Sequence, residues 1–231
     1  MSEPQRMETL FRLLKDGYCA TVVTEEWWRD GDGLDWPAEK NAFFERAVGA
    51  VLVQNTSWKN VSKAISNLHK ANLLLSKSLL AADESAIASC TRPAGFVQRK
   101  PKTLIALARL FASPGLVRMS PAELETRLLD IKGIGRETAD TILLFVFGLP
   151  RFPLSSQARR VVERFSGVQL EEEDIQKVVR SFNSPADLKT FHALLVEFAS
   201  TLCVKTQPKC RQCKLRDSCK AGRESSVCLE Q

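Results

Sequence analysis

The sequence has little of the material that several common protein classes depend on. It contains 231 residues but only two histidines and one tyrosine, which leaves little for catalysis by histidine. The longest apolar run, from Thr141 to Leu149, is far too short to cross a bilayer. The first helix-like stretch carries Glu8, Arg12 and Asp16 among its apolar residues, so no secretory signal is expected. We therefore expect a soluble intracellular protein, in the cytoplasm and nucleoid or in a nucleus, without a membrane partner.

Patterns typical of β-strands are also scarce. Apolar residues recur instead at helical spacing over most of the chain, for example in 102–111 and 188–202. Ser120 and Ser184 each stand before a proline, which places a capping serine ahead of a proline at the first helical position. The sequence therefore predicts an all-α fold.

What the chain has in excess is positive charge and cysteine. Thirty-three basic and twenty-seven acidic residues give a formal net charge of +6, which favours a polyanionic partner. The seven cysteines are an odd number, and four of them lie close together near the C-terminus. These four are Cys203, Cys210, Cys213 and Cys219. In a chain without a secretory signal, such crowding favours metal binding over disulfides.

The spacing of the four cysteines, Cys-x6-Cys-x2-Cys-x5-Cys, suits either a [4Fe–4S] cluster or a tetrahedral zinc ion. Zinc ribbons usually pair two Cys-x2-Cys knuckles, and this loop has one, so the spacing favours the cluster. Lysines and arginines crowd the same loop, which indicates contact with a nucleic-acid backbone. The cluster would then shape a basic loop that is too short to fold unaided. Cys19, Cys90 and Cys228 are predicted to be ordinary thiols.

A second pattern is a short Gly-Ile-Gly turn between two apolar helical stretches. Gly133 and Gly135 allow a tight turn and a close approach of the backbone to a bulky group. The helix that follows would present its first N–H groups and its positive dipole end to an anion. The alternative is a plain connection between two core helices. With Ile134 inside the turn and Lys132 and Arg136 beside it, the frame favours a helix–hairpin–helix that binds phosphate without reading sequence.

The hairpin at 129–144, followed by the cysteine loop at 203–219, resembles the endonuclease III superfamily of DNA glycosylases over nearly the whole chain. The hairpin is most similar to the branch of the family that removes 3-methyladenine. The resemblance implies a six-helix barrel lobe at 36–149 and a discontinuous cluster lobe formed by 1–35 and 150–231. It also implies a monomer that binds damaged double-stranded DNA between the lobes, flips a base into a pocket and carries a [4Fe–4S] cluster as its cofactor.

Two further segments resemble loops that contact DNA in this family. The segment 51–56 is similar to the one from which a glutamine enters the duplex, which assigns that role to Gln54. The alternative for Gln54 is a polar residue that closes the end of a helix. The segment 95–97, Gly-Phe-Val, resembles the neighbouring wedge loop.

Both catalytic positions of the family are substituted in this chain. Bifunctional members have a nucleophilic lysine where this chain has Glu137, and a carboxylate cannot form a Schiff base. The essential aspartate of the family corresponds to Ser155, because the alignment runs without a gap from Gly135 to Arg160. A serine at this position offers a dipole without a charge and is no general base near neutral pH.

Three functions stay open at this point. The first is a base-excision-repair protein that recognises damaged or distorted duplex DNA with weakened or absent catalysis. The second is an active monofunctional glycosylase that uses Glu137 as its carboxylate, although Glu137 would otherwise be a solvated helix residue or pair with first-turn amides. The third is a redox sensor based on the cluster, for which no feature is specific, because DNA contact already explains the basic residues of the loop.

Overall fold

The computed structural model describes residues 3–22, 40–171 and 184–224, together with the single positions 174, 177, 179, 180 and 182. The domain boundary predicted at 35/36, the thiol of Cys228 and the side chain of Cys19 lie outside this part of the chain. None of the helices described here is both long and apolar enough to span a membrane.

Helices make up most of the described residues. Their bounds are α1 Glu3–Val22, α2 Lys40–Leu52, α3 Trp58–Lys70, α4 Ser76–Ala81, α5 Glu84–Thr91, α6 Arg99–Phe111, α7 Pro121–Leu129, α8 Arg136–Phe145, α9 Ser156–Ser166, α10 Pro185–Thr201 and α11 Lys220–Glu224. Short 3-10 turns lie at Arg92–Ala94, Leu116–Arg118, Cys210–Gln212 and Arg216–Ser218. No strand occurs in the described ranges, and the predicted all-α class is confirmed.

The chain forms two compact units. Asp30–Leu149 forms the first, which we call the hairpin unit because it contains the Gly-Ile-Gly turn. Met1–Arg29 and Pro150–Gln231 together form the second, which we call the cysteine unit because it contains the four crowded cysteines.

The core of the hairpin unit lies around α8. The residues of this helix from Thr138 to Phe145 are all buried, the polar Thr138, Asp140 and Thr141 included. Phe44 of α2 and Leu104 and Leu107 of α6 are buried in the same core. Helices α2 and α7 both pack against α8. The turn that precedes α8 is therefore attached to a closely packed helix.

In the cysteine unit, helices α1, α9 and α10 pack against one another. Leu10 of α1, Val161 of α9 and Phe191 of α10 are almost completely buried between them. Helix α9 is amphipathic, and the positions between its apolar residues carry Arg160 and Arg164. These two arginines reach the backbone around Cys203, so α9 supports the start of the cysteine loop.

Candidate nucleic-acid interface and cysteine site

The turn between α7 and α8 has a backbone conformation that favours glycine at Gly133. Its φ of +104° lies in the region that other residues rarely adopt. A Cβ at this position would lie 2.3 Å from Thr103 Oγ1. Ile131 and Ile134 are buried on either side, and Ile134 N donates to Ile131 O at 2.9 Å. The shape of the turn is therefore fixed by the packing of its own residues.

Two side chains bind the carbonyl groups of this turn. Thr103 Oγ1 donates to Lys132 O at 2.9 Å. Gln54 Nε2 donates to Gly133 O at 3.0 Å and to Thr138 Oγ1 at 2.8 Å. The structure thus brings the predicted Gln54 and the predicted hairpin together. Sequence reasoning missed Thr103, because no local pattern marks a threonine whose partner lies in a distant turn.

The N-terminus of α8 is open next to Gly135. This residue has an extended backbone, with φ −96° and ψ 180°, and no side chain caps the helix there. A Cβ at Gly135 would meet no described atom within 4 Å. The first N–H groups of α8 therefore combine a partial positive charge with open space, which is the arrangement that binds a phosphate group.

The two cations of the hairpin lie at its surface. Lys132 and Arg136 are exposed, and Arg136 Nη1 forms an ion pair with the carboxylate of Glu125 on α7. Ion pairs at exposed positions contribute little to stability. This pair links the first turn of α8 to α7.

The segment 95–97 lies directly before α6. Gly95 and Phe96 have positive φ values of +77° and +48°, which turn the chain between the 3-10 helix and α6. The side chains of Phe96 and Val97 are in contact with solvent, since the two residues are 52% and 39% exposed. An exposed aromatic ring on a backbone of defined shape suits insertion between bases.

The two residues that the sequence assigns to the substituted catalytic positions both lie at helix starts. Glu137 is an exposed residue in the first turn of α8, and partial desolvation by protein atoms raises the pKa of its carboxyl above the ordinary value. Ser155 is buried and is the N-cap of α9. Its Oγ accepts a hydrogen bond from Ala158 N at 3.0 Å. Glu137 belongs to the hairpin unit and Ser155 to the cysteine unit.

A buried histidine supports the backbone just before Ser155. The ring of His192 is hydrogen-bonded to the carbonyl of Pro153 and packs edge-on against Phe152. Ser155 N donates to the same Pro153 O at 3.0 Å. Burial lowers the pKa of His192 to about 4, so the ring is neutral at neutral pH. Sequence reasoning missed this residue, because a single histidine in an apolar helix has no distinguishing pattern.

The four predicted metal ligands line one cavity of about 200 Å³ in the cysteine unit. Apolar residues such as Leu10 and Leu215 form other parts of its wall. Burial raises the pKa of the Cys213 and Cys219 thiols, and the charge of Cys203 adds to the effect. Within the described ranges, no three His, Cys, Asp or Glu side chains converge closely enough to hold a single metal ion. The four cysteines therefore share one cavity wall in the cysteine unit.

Arginines of α9 connect the cysteine loop to the rest of its unit. Arg160 Nε donates to Cys203 O at 3.1 Å, and Arg164 Nη1 lies 3.5 Å from Cys203 Sγ. Cys219 Sγ donates to Arg164 O at 3.3 Å. Cys90, by contrast, belongs to the hairpin unit and does not line the cavity. The loop is therefore held at both its first and its last cysteine by one helix.

Comparison with the sequences of known proteins gives a consistent result. Residues 48–191 match the profile of the HhH-GPD superfamily of base excision DNA repair proteins. A Methanocaldococcus jannaschii protein named as a DNA repair glycosylase is 36% identical over 196 residues, which cover 80% of this chain and 87% of the relative. Endonuclease III of Sulfolobus acidocaldarius is 29% identical, and the match covers 77% of this chain and 81% of the relative.

Solved structures resemble the chain over most of its length. The H. pylori 3-methyladenine DNA glycosylase bound to 1,N6-ethenoadenine superposes with a TM-score of 0.64 and 25% identity, over 87% of this chain and 98% of the other. A trapped covalent intermediate of endonuclease III with DNA superposes with a TM-score of 0.70, over 96% of this chain and 98% of the other. At 16% identity, the second likeness concerns the fold alone.

Proposed function

The chain belongs to the HhH-GPD superfamily of base excision DNA repair proteins, and from this premise we propose that it binds damaged or distorted duplex DNA with weakened or absent base excision. Its membership confirms the family that the hairpin and the cysteine loop indicate in the sequence. The observation that carries the proposal is a contrast between two helix starts. Helix α8 keeps an open N-terminus, whereas at the start of α9 a serine stands in place of the carboxylate of the family.

The hairpin supports binding to the phosphate backbone of a duplex. The carbonyl groups of its turn are already bonded to Thr103 and Gln54, so the backbone needs no rearrangement to present its N–H groups. Lys132 and Arg136 are exposed at the same edge, where Glu125 pairs with Arg136. Contacts of this kind place a protein on DNA of any sequence, and damage is then recognised by the segments that enter the base stack.

The residues of this chain support DNA binding better than they support base excision. As a base leaves, the sugar becomes cationic, and a carboxylate beneath it lowers the energy of that state. Ser155 brings no negative charge, and its Oγ already accepts the capping hydrogen bond from Ala158 N. The position therefore stabilises α9 without supplying the electrostatic effect that excision needs.

A second candidate function, an active monofunctional glycosylase, is favoured by one observation. Desolvation raises the pKa of Glu137, which moves this carboxyl toward the range in which it exchanges protons near neutral pH. Glu137 would then take over proton transfer or activation of water at the reacting sugar. This candidate requires that excision by the wild-type protein depends on Glu137.

We expect the wild-type protein to bind a duplex with an abasic-site analogue more tightly than the matching undamaged duplex. Its affinity for both duplexes should fall steeply as the salt concentration rises. Each neutralised phosphate contributes about 0.9 to the slope of the logarithm of the binding constant against the logarithm of the salt concentration. On a panel of lesion-bearing duplexes, it should release little or no base. Fluorescence anisotropy measures the affinities, and a glycosylase assay on the same duplexes measures release. Equal affinity for damaged and undamaged duplexes would contradict the proposal.

The same assays distinguish the second candidate. Base release by the wild type that disappears in Glu137→Gln would establish an enzyme that uses this carboxylate. Glu123→Gln is the matched control, because Glu123 also lies in the first turn of a helix of the hairpin unit. Loss of release in both variants would indicate a general electrostatic effect instead of a role for Glu137.

We also propose that the cysteine cavity holds a [4Fe–4S] cluster. Its ligands would be Cys203, Cys210, Cys213 and Cys219, which line the cavity together. The bound cluster would supply a rigid cross-link between segments that bury little apolar surface of their own. The chain around it would then present a row of cations to DNA, namely Lys205, Lys209, Arg211, Lys214, Arg216, Lys220 and Arg223. A structural role of this kind accounts for the cavity without a redox function.

Protein purified without oxygen should contain about four irons per chain and absorb broadly in the blue part of the visible spectrum. Cys213→Ser should lose most of this iron and bind duplex DNA more weakly, because the basic loop loses its cross-link. Cys90→Ser is the matched control and should keep the iron, since Cys90 does not line the cavity. Stoichiometric zinc without iron would show that the cluster assignment is wrong.

A further inference from the structure

Lys100, at the start of α6, is buried, although lysine side chains are mostly exposed in proteins. The residue is 3% exposed. Its Nζ donates to Leu52 O at 2.7 Å, Gln54 O at 3.0 Å and Ala94 O at 2.7 Å. These three hydrogen bonds use all three donors of an ammonium group. One acceptor is the last residue of α2, the second lies two residues after it and the third lies before α6, so one cation joins two segments that are distant in the sequence.

Packing alone does not explain why Lys100 is buried, because burial removes water from a charged group. Its three acceptors are neutral carbonyl oxygens, and desolvation lowers the pKa of the amine to about 8. An apolar side chain of similar length would avoid this desolvation, but it would leave two buried carbonyl groups and one half-buried carbonyl group without their donor. We therefore look for the role of Lys100 in the two chain segments that its hydrogen bonds connect.

The first of these segments carries Gln54, which is predicted to enter DNA, and the second resembles a wedge loop and carries the exposed ring of Phe96. The first is the glutamine turn, residues 53–56, where Lys100 binds the backbone of Gln54. The second is the wedge loop, residues 95–97, where Phe96 O accepts the backbone N–H of Lys100 at 3.0 Å. The Phe96 ring lies over the ammonium group, with 5.6 Å between Nζ and the ring centroid. The glutamine turn and the wedge loop thus meet at one buried cation.

We propose that Lys100 is a positioning residue for damage recognition: its ammonium group fixes the glutamine turn and the wedge loop in one arrangement, so that Gln54 and Phe96 meet a gap in the duplex together. The inference rests on the proposed DNA binding. In this role Lys100 acts through the glutamine turn and the wedge loop and contacts no DNA itself. The link to the hairpin is direct, because Gln54 also donates to Gly133 O.

The test compares Lys100→Met with Lys102→Met on the same helix. The Lys102 side chain is 71% exposed, so this control removes the same charge without touching the buried group. The affinity of each variant is measured for a duplex with a central tetrahydrofuran abasic analogue and for the matching undamaged duplex. Lys100→Met should lower the ratio of the two affinities by about tenfold, because the buried carbonyl groups lose a charged donor. Lys102→Met should leave this ratio unchanged.

A double-mutant cycle separates positioning from a general loss of stability. Phe96→Ala removes the exposed ring and should lower the same ratio. If Lys100 acts through the wedge loop, the two losses are not additive, because the second substitution removes a ring that is already misplaced. Additive losses, or an unchanged ratio in Lys100→Met, would overturn the proposal. If Lys100→Met does not fold, Lys100→Gln takes its place, since an amide keeps two donors without the charge.

Hydrogen exchange on the protein alone gives a measurement that needs no DNA. In Lys100→Met, the backbone amides of the glutamine turn and of the wedge loop should lose protection together, while α8 keeps its protection. Unchanged protection in either segment contradicts the positioning role. Failure of the wild type to bind any duplex would instead contradict the proposed function, and the exchange result would still decide the role of Lys100. Borohydride trapping of Lys100 on an abasic duplex would make it a nucleophile and overturn the proposal.

Discussion

Ser155→Asp is expected to raise the rate of base excision by roughly a hundred- to a thousandfold on a lesion that the wild type binds but hardly excises. The new carboxylate would face the positive charge that develops on the sugar, where the serine offers only a dipole. Aspartate caps helices about as well as serine does, so it can accept the hydrogen bond that Ala158 N now donates to Ser155 Oγ. The fold should therefore tolerate the change. Single-turnover excision across the lesion panel measures the gain.

Ser155→Asn is the matched control for this substitution, because asparagine has the size of aspartate and caps a helix without a charge. A gain in both variants would show that the effect is not electrostatic. No gain in either variant would mean that more than one carboxylate separates this chain from an active glycosylase. Excision that is already present in the wild type and disappears in Glu137→Gln would favour the second candidate function.

Gly133→Val and Gly135→Val should separate the two roles of the hairpin. Gly133→Val is expected to reduce the free energy of unfolding by about 2–5 kcal/mol, since a branched residue is strained at a positive φ and overlaps Thr103. The overlap is severe, because a Cβ would lie 2.3 Å from Thr103 Oγ1. Gly135→Val should leave stability close to that of the wild type, because its backbone is extended and the space beside it is open. Chemical denaturation measures both changes.

DNA binding gives the second half of this prediction. Gly135→Val should weaken binding to every duplex by about tenfold or more, because the branched side chain occupies the space through which a phosphate approaches the N–H groups of α8. Gly115→Val provides a control outside the hairpin, at a glycine with a φ of −83° where the nearest atom to a Cβ would be Ser113 Oγ at 3.8 Å. Normal binding by a folded Gly135→Val protein would mean that the hairpin is only a structural turn.

Neighbouring residues were enough to predict the helical class and the family of this protein. Ser120 and Ser184 start α7 and α10, and each accepts a hydrogen bond from a backbone N–H three residues later. A capping bond of this kind is made within one helical turn, so a few consecutive residues contain both partners. The Gly-Ile-Gly frame and the cysteine spacing are equally local, and membership of the superfamily confirms the family that they indicate.

Only the tertiary structure decided what the polar residues around the hairpin do. In the sequence Gly133 and Gly135 look alike, yet only a Cβ at Gly133 would overlap Thr103. Gln54 binds a carbonyl group that lies 79 residues away, and Lys100 binds acceptors that lie 48 and 46 residues away. Lysine is mostly exposed in proteins, so composition predicts the opposite of what Lys100 does. Its three acceptors come together only when α2 and α6 pack, and no stretch of neighbouring residues contains that information.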